Sequence, residues 1–333
     1  MSNCKKCLSI LNIQNTDIMD KRYCTTCANK IRAHHKSQRL ILYQLRSLPL
    51  EDKIKLSKEY ISEAINEFGA DAIYISYSGG KDSTVLSHIT RQIYPNILHI
   101  FADTTCEFPE TLHHIEWEKT NNNANIITVK PIDGKGVLWS FKRVVDYYGY
   151  PVFSKRIANA IRTYRHARTS RTKQNSVEYI QRNFPKYDKY KELNISDKCC
   201  EILKKNPIKK KAKALGMKCV ILGILADESR QREKDWLNYG CNVFYIKSEN
   251  QCRPLAFWTE KDILEYIKIY NVKISKLYDM GYTRNGCMYC AFGAHLEKEG
   301  QQRFVHLKET HPQEYNYFID NFGQFIIELN IAI

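Results

Sequence analysis

The chain has 333 residues, 43% hydrophobic and 26% charged, with 51 Lys and Arg against 36 Asp and Glu for a formal net charge of +15. That apolar content excludes a disordered chain, while no apolar stretch reaches the roughly 20 residues of a membrane span and no secretory leader is visible, so a cytoplasmic protein without membrane contact is expected. A cationic surplus of this size suits a polyanionic partner, nucleic acid first, although a merely basic surface gives the same arithmetic.

Residues 1–30 form a head with little apolar content. Cys4 and Cys7 make one CxxC pair and Cys24 and Cys27 a second, with 16 residues between the pairs. Each pair presents two thiolates from one tight knuckle, and the loop folds the pairs together on a tetrahedral Zn²⁺. Metal ligation then supplies folding energy that so short a segment cannot find in a core. His34 and His35 stand by as spare ligands.

Residues 31–69 read as a helical linker. Leu40, Ile41, Leu45 and Leu48 mark one helix ending near Pro49, and the apolar face from Ile54 to Phe68 marks another. Short apolar runs at 72–77, 97–102, 125–129, 219–224 and 243–246 then alternate with helical patterns. That alternation predicts an α/β fold, a doubly wound, Rossmann-like parallel sheet covered by helices on both faces. The polar, arginine-rich stretch 155–215 reads as a basic helical insertion, and the chain after Trp258 as helical almost to its end, with 293–333 as C-terminal helices.

Two constellations carry chemistry. Ser78, Gly79, Gly80, Lys81, Asp82 and Ser83 lie between a predicted strand and a predicted helix. Glycines let the backbone turn sharply, the helix N-terminus offers N–H groups to an anion, and Lys81 neutralises charge. The spacing is not that of a Walker A loop. The second constellation is Cys199-Cys200 with Cys287 and Cys290. Adjacent thiolates fit poorly on a single tetrahedral zinc and more easily ligate different irons of a 4Fe–4S cluster; zinc and unmetallated cysteines are the alternatives.

The hexapeptide 78–83 resembles the pyrophosphate loop of the adenine nucleotide alpha-hydrolase superfamily. Phe101 to Thr111, Gly223 to Arg232, and Arg253, Pro254, Trp258, Tyr278 and Gly281 leading into the second CxxC narrow the resemblance. They are similar to segments of the phosphoadenosine phosphosulfate (PAPS) reductase-like family, over about residues 70–292. The Cys199-Cys200 pair with Cys287 and Cys290 resembles the cluster motif of bacterial adenylylsulfate reductases. The resemblance implies a nucleotide site at Ser78–Ser83 and Asp103.

Reductases of that family carry an attacking cysteine in a C-terminal tail, and this sequence has no cysteine after Cys290. With the loop in its ATP-pyrophosphatase form, that absence favours the family's relatives in DNA phosphorothioation. The expected activity is thus an ATP-dependent, pyrophosphate-releasing iron–sulfur sulfurtransferase acting on nucleic acid, DNA or tRNA, fed by a sulfur donor such as a cysteine desulfurase. Lys81 would stabilise the departing pyrophosphate and Asp82 hold Mg²⁺. Arg230 and Arg232 would face substrate phosphates, or form a solvated face with local acids. Arg162, Arg165, Arg168 and Lys204 are the candidate polymer contacts. The alternatives are a sulfonucleotide reductase and a non-catalytic, ATP-gated nucleic-acid-binding regulator.

Overall fold

Five apolar or β-branched-rich residues at 73–77, closed by the Ser-Gly-Gly turn, form the first strand, and this strand–turn–helix step sets the pattern that follows. The computed structural model of the protein describes residues 3–10, 15–17, 19, 22–246 and 249–333. In chain order, α1 (Thr25–Arg46) and α2 (Leu50–Phe68) precede β1 (Ile73–Tyr77), α3 (Lys81–Arg91) and β2 (Leu98–Ala102). Next come α4 (Pro109–Thr120), β3 (Ile126–Val129), α5 (Phe141–Tyr148), β4 (Val152–Phe153), α6 (Lys155–Arg165) and α7 (Ser170–Asn183). A π-helical turn at Glu201–Lys205 leads into α8 (Asn206–Ala214), β5 (Cys219–Ile221), α9 (Arg230–Tyr239), β6 (Asn242–Val243) and β7 (Asn250–Cys252). The chain continues through α10 (Glu260–Ile269), β8 (Ala291–Phe292), α11 (Arg303–Thr310) and α12 (Pro312–Glu328).

These elements divide into two compact units. The first comprises Met1–Ile73, Val85–Pro95 and Lys218–Lys273. In it β5 runs parallel to β7, which pairs antiparallel with β6. The α2 helix is anchored by a buried ion pair, with Lys53 Nζ 2.8 Å from each carboxylate oxygen of Asp262. Asp262 also caps α10, accepting from the Thr259 N–H at 2.7 Å. Ser57 donates to the Pro254 carbonyl (2.8 Å) and accepts from the Trp258 indole (3.0 Å), so the buried polar groups on this face are paired.

The second unit comprises Tyr74–Thr84, Asn96–Met217 and Ile274–Ile333. Here β1, β2 and β3 are parallel, with Tyr74 opposite Leu98 and His99 opposite Ile126. A smaller parallel pair joins β4 to β8. Its core is aromatic: Phe304 and Phe318 stack at 4.2 Å, and Phe322 packs on Phe141 at 5.3 Å and on Tyr150 at 5.7 Å. The α12 helix is therefore part of the core that holds Cys199, Leu203 and Tyr289.

The parallel, helix-covered α/β character is as expected, with three corrections. Residues 271–302 are not helical. Gly281, Gly293 and Gly300 take positive φ there, and the segment holds β8 and short 3-10 turns. The strand expected at 243–246 is the two-residue edge β6, and its partner β7 is built from Asn250, Gln251 and Cys252, which carry no apolar alternation. His34 and His35 are not spare metal ligands: their ring nitrogens bond α9, at the Leu237 carbonyl (3.0 Å) and Asn238 (2.8 Å). Among the described residues no helix is long and apolar enough to cross a membrane.

Candidate active site: a phosphate loop and a thiol set on one frame

The loop after β1 is shaped by its glycines. Gly79 has φ +69°, and a Cβ there would lie 3.1 Å from Ile115 Cδ1 and 3.2 Å from Thr111 Cγ2. A Cβ on Gly80 would lie 3.3 Å from the Tyr278 hydroxyl. Inside the turn Ser83 Oγ donates to the Gly80 carbonyl (2.9 Å) and lies 3.1 Å from Ser78 Oγ. Asp82 sits in the first turn of α3. Behind it, Tyr77 Oη, Thr84 Oγ1 and His114 Nε2 form a buried triangle with sides of 3.1, 3.2 and 3.3 Å.

Three residues of one later segment grip this loop. The Lys81 backbone N–H donates to Tyr278 Oη at 2.9 Å, and the buried Lys81 ammonium donates to the Thr283 carbonyl at 3.1 Å. Asn285 Nδ2 donates to the Ser78 carbonyl at 3.0 Å and its Oδ1 accepts from Thr111 Oγ1 at 3.1 Å. Two residues further on the same segment reaches Cys287 and Cys290, which form a knuckle with the Cys290 N–H on the Cys287 carbonyl at 3.2 Å. The strand end after β2 repeats the arrangement. Asp103 holds the Thr105 N–H (3.0 Å) and lies 3.7 Å from Lys130 Nζ. Thr104 Oγ1 is 3.2 Å from Cys106 Sγ and 3.7 Å from Cys287 Sγ.

Cys199 and Cys200 enter from the residues just before the π-helical turn, with their sulfurs 4.0 Å apart. Cys199, Cys200, Cys287 and Cys290 act on one another electrostatically. The hydrogen bond from Cys199, then Lys155 and Lys204, holds the Cys200 thiol down to about 5 against its burial. Cys199 is raised by Cys200 and by burial, and burial with the neighbouring Cys287 pushes Cys290 up to about 12. Cys287 is lowered, first by its hydrogen bond with Cys106, while burial raises Cys106. Burial also raises the Glu107 carboxyl, which accepts from the Thr104 N–H (2.9 Å) and Oγ1 (2.8 Å).

The head is a separate centre on the first unit. Cys4, Cys7, Cys24 and Cys27 have sulfurs that all lie within 4.8 Å of one another, so this group can hold a metal ion. The Leu8 N–H on the Cys4 carbonyl (2.9 Å) and the Cys4 N–H on the Ser9 carbonyl (2.8 Å) close the first knuckle. The second opens α1, where the hydrogen bond with Cys24, then burial, pushes the Cys27 thiol up to about 12. Burial opposes ionisation of Cys4, but the N–H groups of Cys7, Cys24 and Lys6 pull its thiol down to about 6.

The other expected residues fall elsewhere. Arg232 opens α9 and pairs with Glu228, its N–H capped by Ser229 at 3.3 Å; Arg230 begins the same helix. Arg162 bonds Asp197 at 2.8 Å and Arg165 bonds the Asn194 side chain, whereas Arg168 is exposed. Lys204 belongs to the thiol set, lowering Cys200, Cys287 and Glu107 by its charge. Sequence reading missed Thr104, Cys106, Glu107, Thr111, Thr283 and Asn285. Their signal was available in the polar residues crowded before the second CxxC and after β2.

A strand–glycine turn–helix loop sharing its frame with four cysteines gives this α/β fold the form of a PP-loop protein. The model of the phosphoadenosine phosphosulfate reductase domain matches residues 72–136 and 137–292, and the chain belongs to that family. An adenosine 5'-phosphosulfate reductase of Anoxybacillus flavithermus is 24% identical over 257 residues, 77% of this chain and 88% of that protein. One of Staphylococcus haemolyticus is 25% identical over 244 residues, 73% of this chain and 80% of its own length. An uncharacterized protein of Methanocaldococcus jannaschii is 24% identical over 76% of this chain, which spans about half (48%) of that relative. The crystal structure of a PAPS reductase from Candida auris superposes with a TM-score of 0.46 at 17% identity, covering 74% of this chain and 98% of that one.

These relatives overturn the expected ATP-dependent sulfurtransferase acting on nucleic acid, because proteins named adenosine 5'-phosphosulfate reductase match along some three quarters of the chain. The physical reason lies in the loop. Backbone N–H groups and a lysine grip a phosphate whether it is the end of ATP or the phosphate of a sulfonucleotide, so an unaltered hexapeptide does not select ATP. These matches support the reductase-domain family and do not extend to the narrower likeness to phosphorothioation enzymes.

Proposed function

We propose that the chain is a sulfonucleotide reductase that takes adenosine 5'-phosphosulfate. The observation that carries this reading is the shared segment 278–290. Tyr278, Thr283 and Asn285 hold the phosphate loop, and Cys287 and Cys290 follow at once in the thiol set. A substrate whose phosphate sits on Ser78–Ser83 would place its sulfate beside sulfur ligands. The names of the curated relatives support the same substrate class.

In this reading the loop N–H groups and Lys81 bind the adenylyl phosphate, and Asp103 accepts hydrogen bonds from the nucleoside. The sulfate sulfur is attacked by a thiol, its bond to the phosphate oxygen breaks, and AMP leaves with that electron pair. A second thiol then attacks the S-sulfonated sulfur, releasing sulfite and forming a disulfide. The sum is adenylyl sulfate plus two thiols giving AMP, sulfite and a disulfide, with a thiol reductant as co-substrate. Lys81 stabilises charge on the phosphate as AMP departs. ATP presents a similar phosphate and is the natural competitor, with Asp82 the place for the Mg²⁺ it would bring.

The four cysteines 199, 200, 287 and 290 suit an iron–sulfur cluster, their thiols gathered from two segments in mutual electrostatic contact. When bound, a 4Fe–4S cluster would supply a polarising metal–sulfide face next to the loop. The head suits Zn²⁺: zinc–sulfur bonds of about 2.3 Å put tetrahedral sulfurs about 3.8 Å apart. Cys7 Sγ and Cys24 Sγ are 3.8 Å apart.

The test is anaerobic incubation with adenosine 5'-phosphosulfate and a dithiol. Equal amounts of AMP and sulfite are expected, with a rate about 10²-fold lower in Lys81→Ala. Pyrophosphate release from ATP with no sulfite from the sulfonucleotide would overturn the reading.

A further inference from the structure

The α6–α7 hairpin carries a charge imbalance that the loop and the thiol set do not use. Residues 155–189 expose nine lysines and arginines and one acid, Glu178. Both helices have a side-chain N-cap, Ser154 and Thr169, and neither has an acid in its first turn, so their positive ends are uncompensated. The cations are not equivalent. Arg162 is held by Asp197 and Arg165 by Asn194, whereas among the described residues no acid pairs with Arg168, Arg171 or Arg182.

The α7 helix sorts these residues by periodicity. Ser176 and Ile180 are its buried positions. An exposed stripe beside them reads Arg171, Asn175, Tyr179, Arg182, at steps of four, four and three. Arg171 to Arg182 spans about 17 Å at 1.5 Å per residue. Between the arginines the Tyr179 ring is 43% exposed. Its ring meets Phe184 edge-to-face at 5.8 Å between centroids, and the Arg156 guanidinium lies 5.4 Å from the centre of that same Phe184 ring. The tyrosine is thus steadied by Phe184 while 43% of it stays exposed, and an exposed aromatic ring between guanidinium groups is a platform on which an unpaired base can stack.

We propose that the exposed stripe of α7 binds single-stranded nucleic acid, Arg171 and Arg182 contacting phosphates and Tyr179 stacking a base. Binding is independent of sequence and involves no chemistry on the polymer. Arginine suits this role because its planar fork meets phosphate oxygens in pairs. A duplex keeps its bases stacked inside and leaves Tyr179 without a partner. The proposal does not depend on the sulfonucleotide reading, since none of these residues contacts the phosphate loop or the four cysteines.

The experiment measures fluorescence anisotropy of the full chain with a labelled, mixed-sequence single strand of about 20 nucleotides across a salt series. The natural chain should bind, more weakly as salt rises. Arg171→Ala with Arg182→Ala should lower affinity and reduce the log–log salt slope by about 1.4, at roughly 0.7 per lost phosphate contact. Tyr179→Ala should lower affinity about 5- to 100-fold, and Tyr179→Phe should keep it, because stacking needs the ring and not the hydroxyl. Arg162→Ala should leave the slope unchanged, since that side chain is occupied by Asp197. Circular dichroism of each variant, matching the natural chain, shows that folding is intact. An unchanged slope in the double arginine variant would overturn the proposal. So would equal displacement of the strand by polyglutamate, which would assign the stripe to an acidic protein, or binding of anionic vesicles in place of the strand.

Discussion

The two cysteine sets use the same residue in opposite physical settings. In the head, four sulfurs lie within 4.8 Å of one another and, among the described residues, the buried apolar cluster around them is little more than Cys4 and Cys27 themselves, with Tyr23 and Cys24 beside them. In the body, Cys199 packs into a large aromatic core together with Leu203, Tyr289, Phe304 and Phe318, and Cys200 and Cys287 rest against its edge. Thiols that make a fold differ from thiols that a fold holds. On the proposed metal assignment, the metal would be the core in the first case, whereas in the second the core exists and would carry the metal.

The largest expected effect breaks that comparison open. Structural zinc sites contribute about 10–16 kcal/mol of binding free energy, which in a metal-folded segment is folding free energy. Cys4→Ser, or a strong chelator, should therefore make the head susceptible to protease while the second unit keeps its thermal transition. Cys290→Ser should do the reverse, removing iron while the aromatic core keeps its near-ultraviolet circular dichroism. Metal analysis of anaerobically prepared protein should give about one zinc and about four irons per chain. A body that melts when its iron is lost would erase the distinction.

A smaller effect sharpens it within the first unit. Lys53 is 2% exposed and, among the described residues, its charge is compensated by the Asp262 carboxylate, 2.8 Å away. Removing one member of a buried ion pair leaves the other charge desolvated and costs about 3–5 kcal/mol. Asp262→Ala also removes the α10 capping box, so urea unfolding should shift markedly with zinc still bound in the head. Replacing both partners, as Lys53→Met with Asp262→Leu, should recover much of the loss. If the single variant were as stable as the natural chain, the ion pair would not be what anchors α2.

What the sequence disclosed follows the same division. β1, β2 and the phosphate loop were legible because apolar runs and a Ser-Gly-Gly turn are local signals. The four head cysteines were legible because their spacing is local too. The loop's partners were not read as such: Tyr278 stood out only by family likeness, and it, Thr283 and Asn285 arrive from some 200 residues away. Nothing in the helical periodicity after Trp258 announces the glycine-bent segment that carries them. Arg162 looked like its neighbours in an arginine-rich stretch, and only the position of Asp197 on a distant segment distinguishes it from Arg171. Side chains that converge through topology leave no period in the chain.

The smallest effect tests whether the body's fold near its thiols is independent of metal. Asp133 is clasped in the loop before α5, where Oδ1 accepts from the N–H groups of Lys135 (2.8 Å) and Val137 (2.9 Å) and Oδ2 from Arg143 (2.7 Å). The Arg143 hydrogen bond first, then those N–H groups, lower its pKa from 3.8 to about 2. A depressed folded-state pKa means the unfolded chain takes up the proton first. The stabilisation is thus complete above about pH 4 and disappears as pH falls through about 2. The helix that follows this loop begins at Phe141, whose N–H donates to Thr105 Oγ1 at 3.2 Å, beside the Thr104 that touches Cys287. Carboxyl NMR should place the Asp133 midpoint near 2, and Arg143→Ala should return it toward 3.8. In protein stripped of iron the midpoint should remain near 2, because the clasp is made by backbone and guanidinium alone. A midpoint that rises on iron removal would mean that the proposed cluster organises the body as the proposed zinc organises the head, and the contrast between the two cysteine sets would be one of degree.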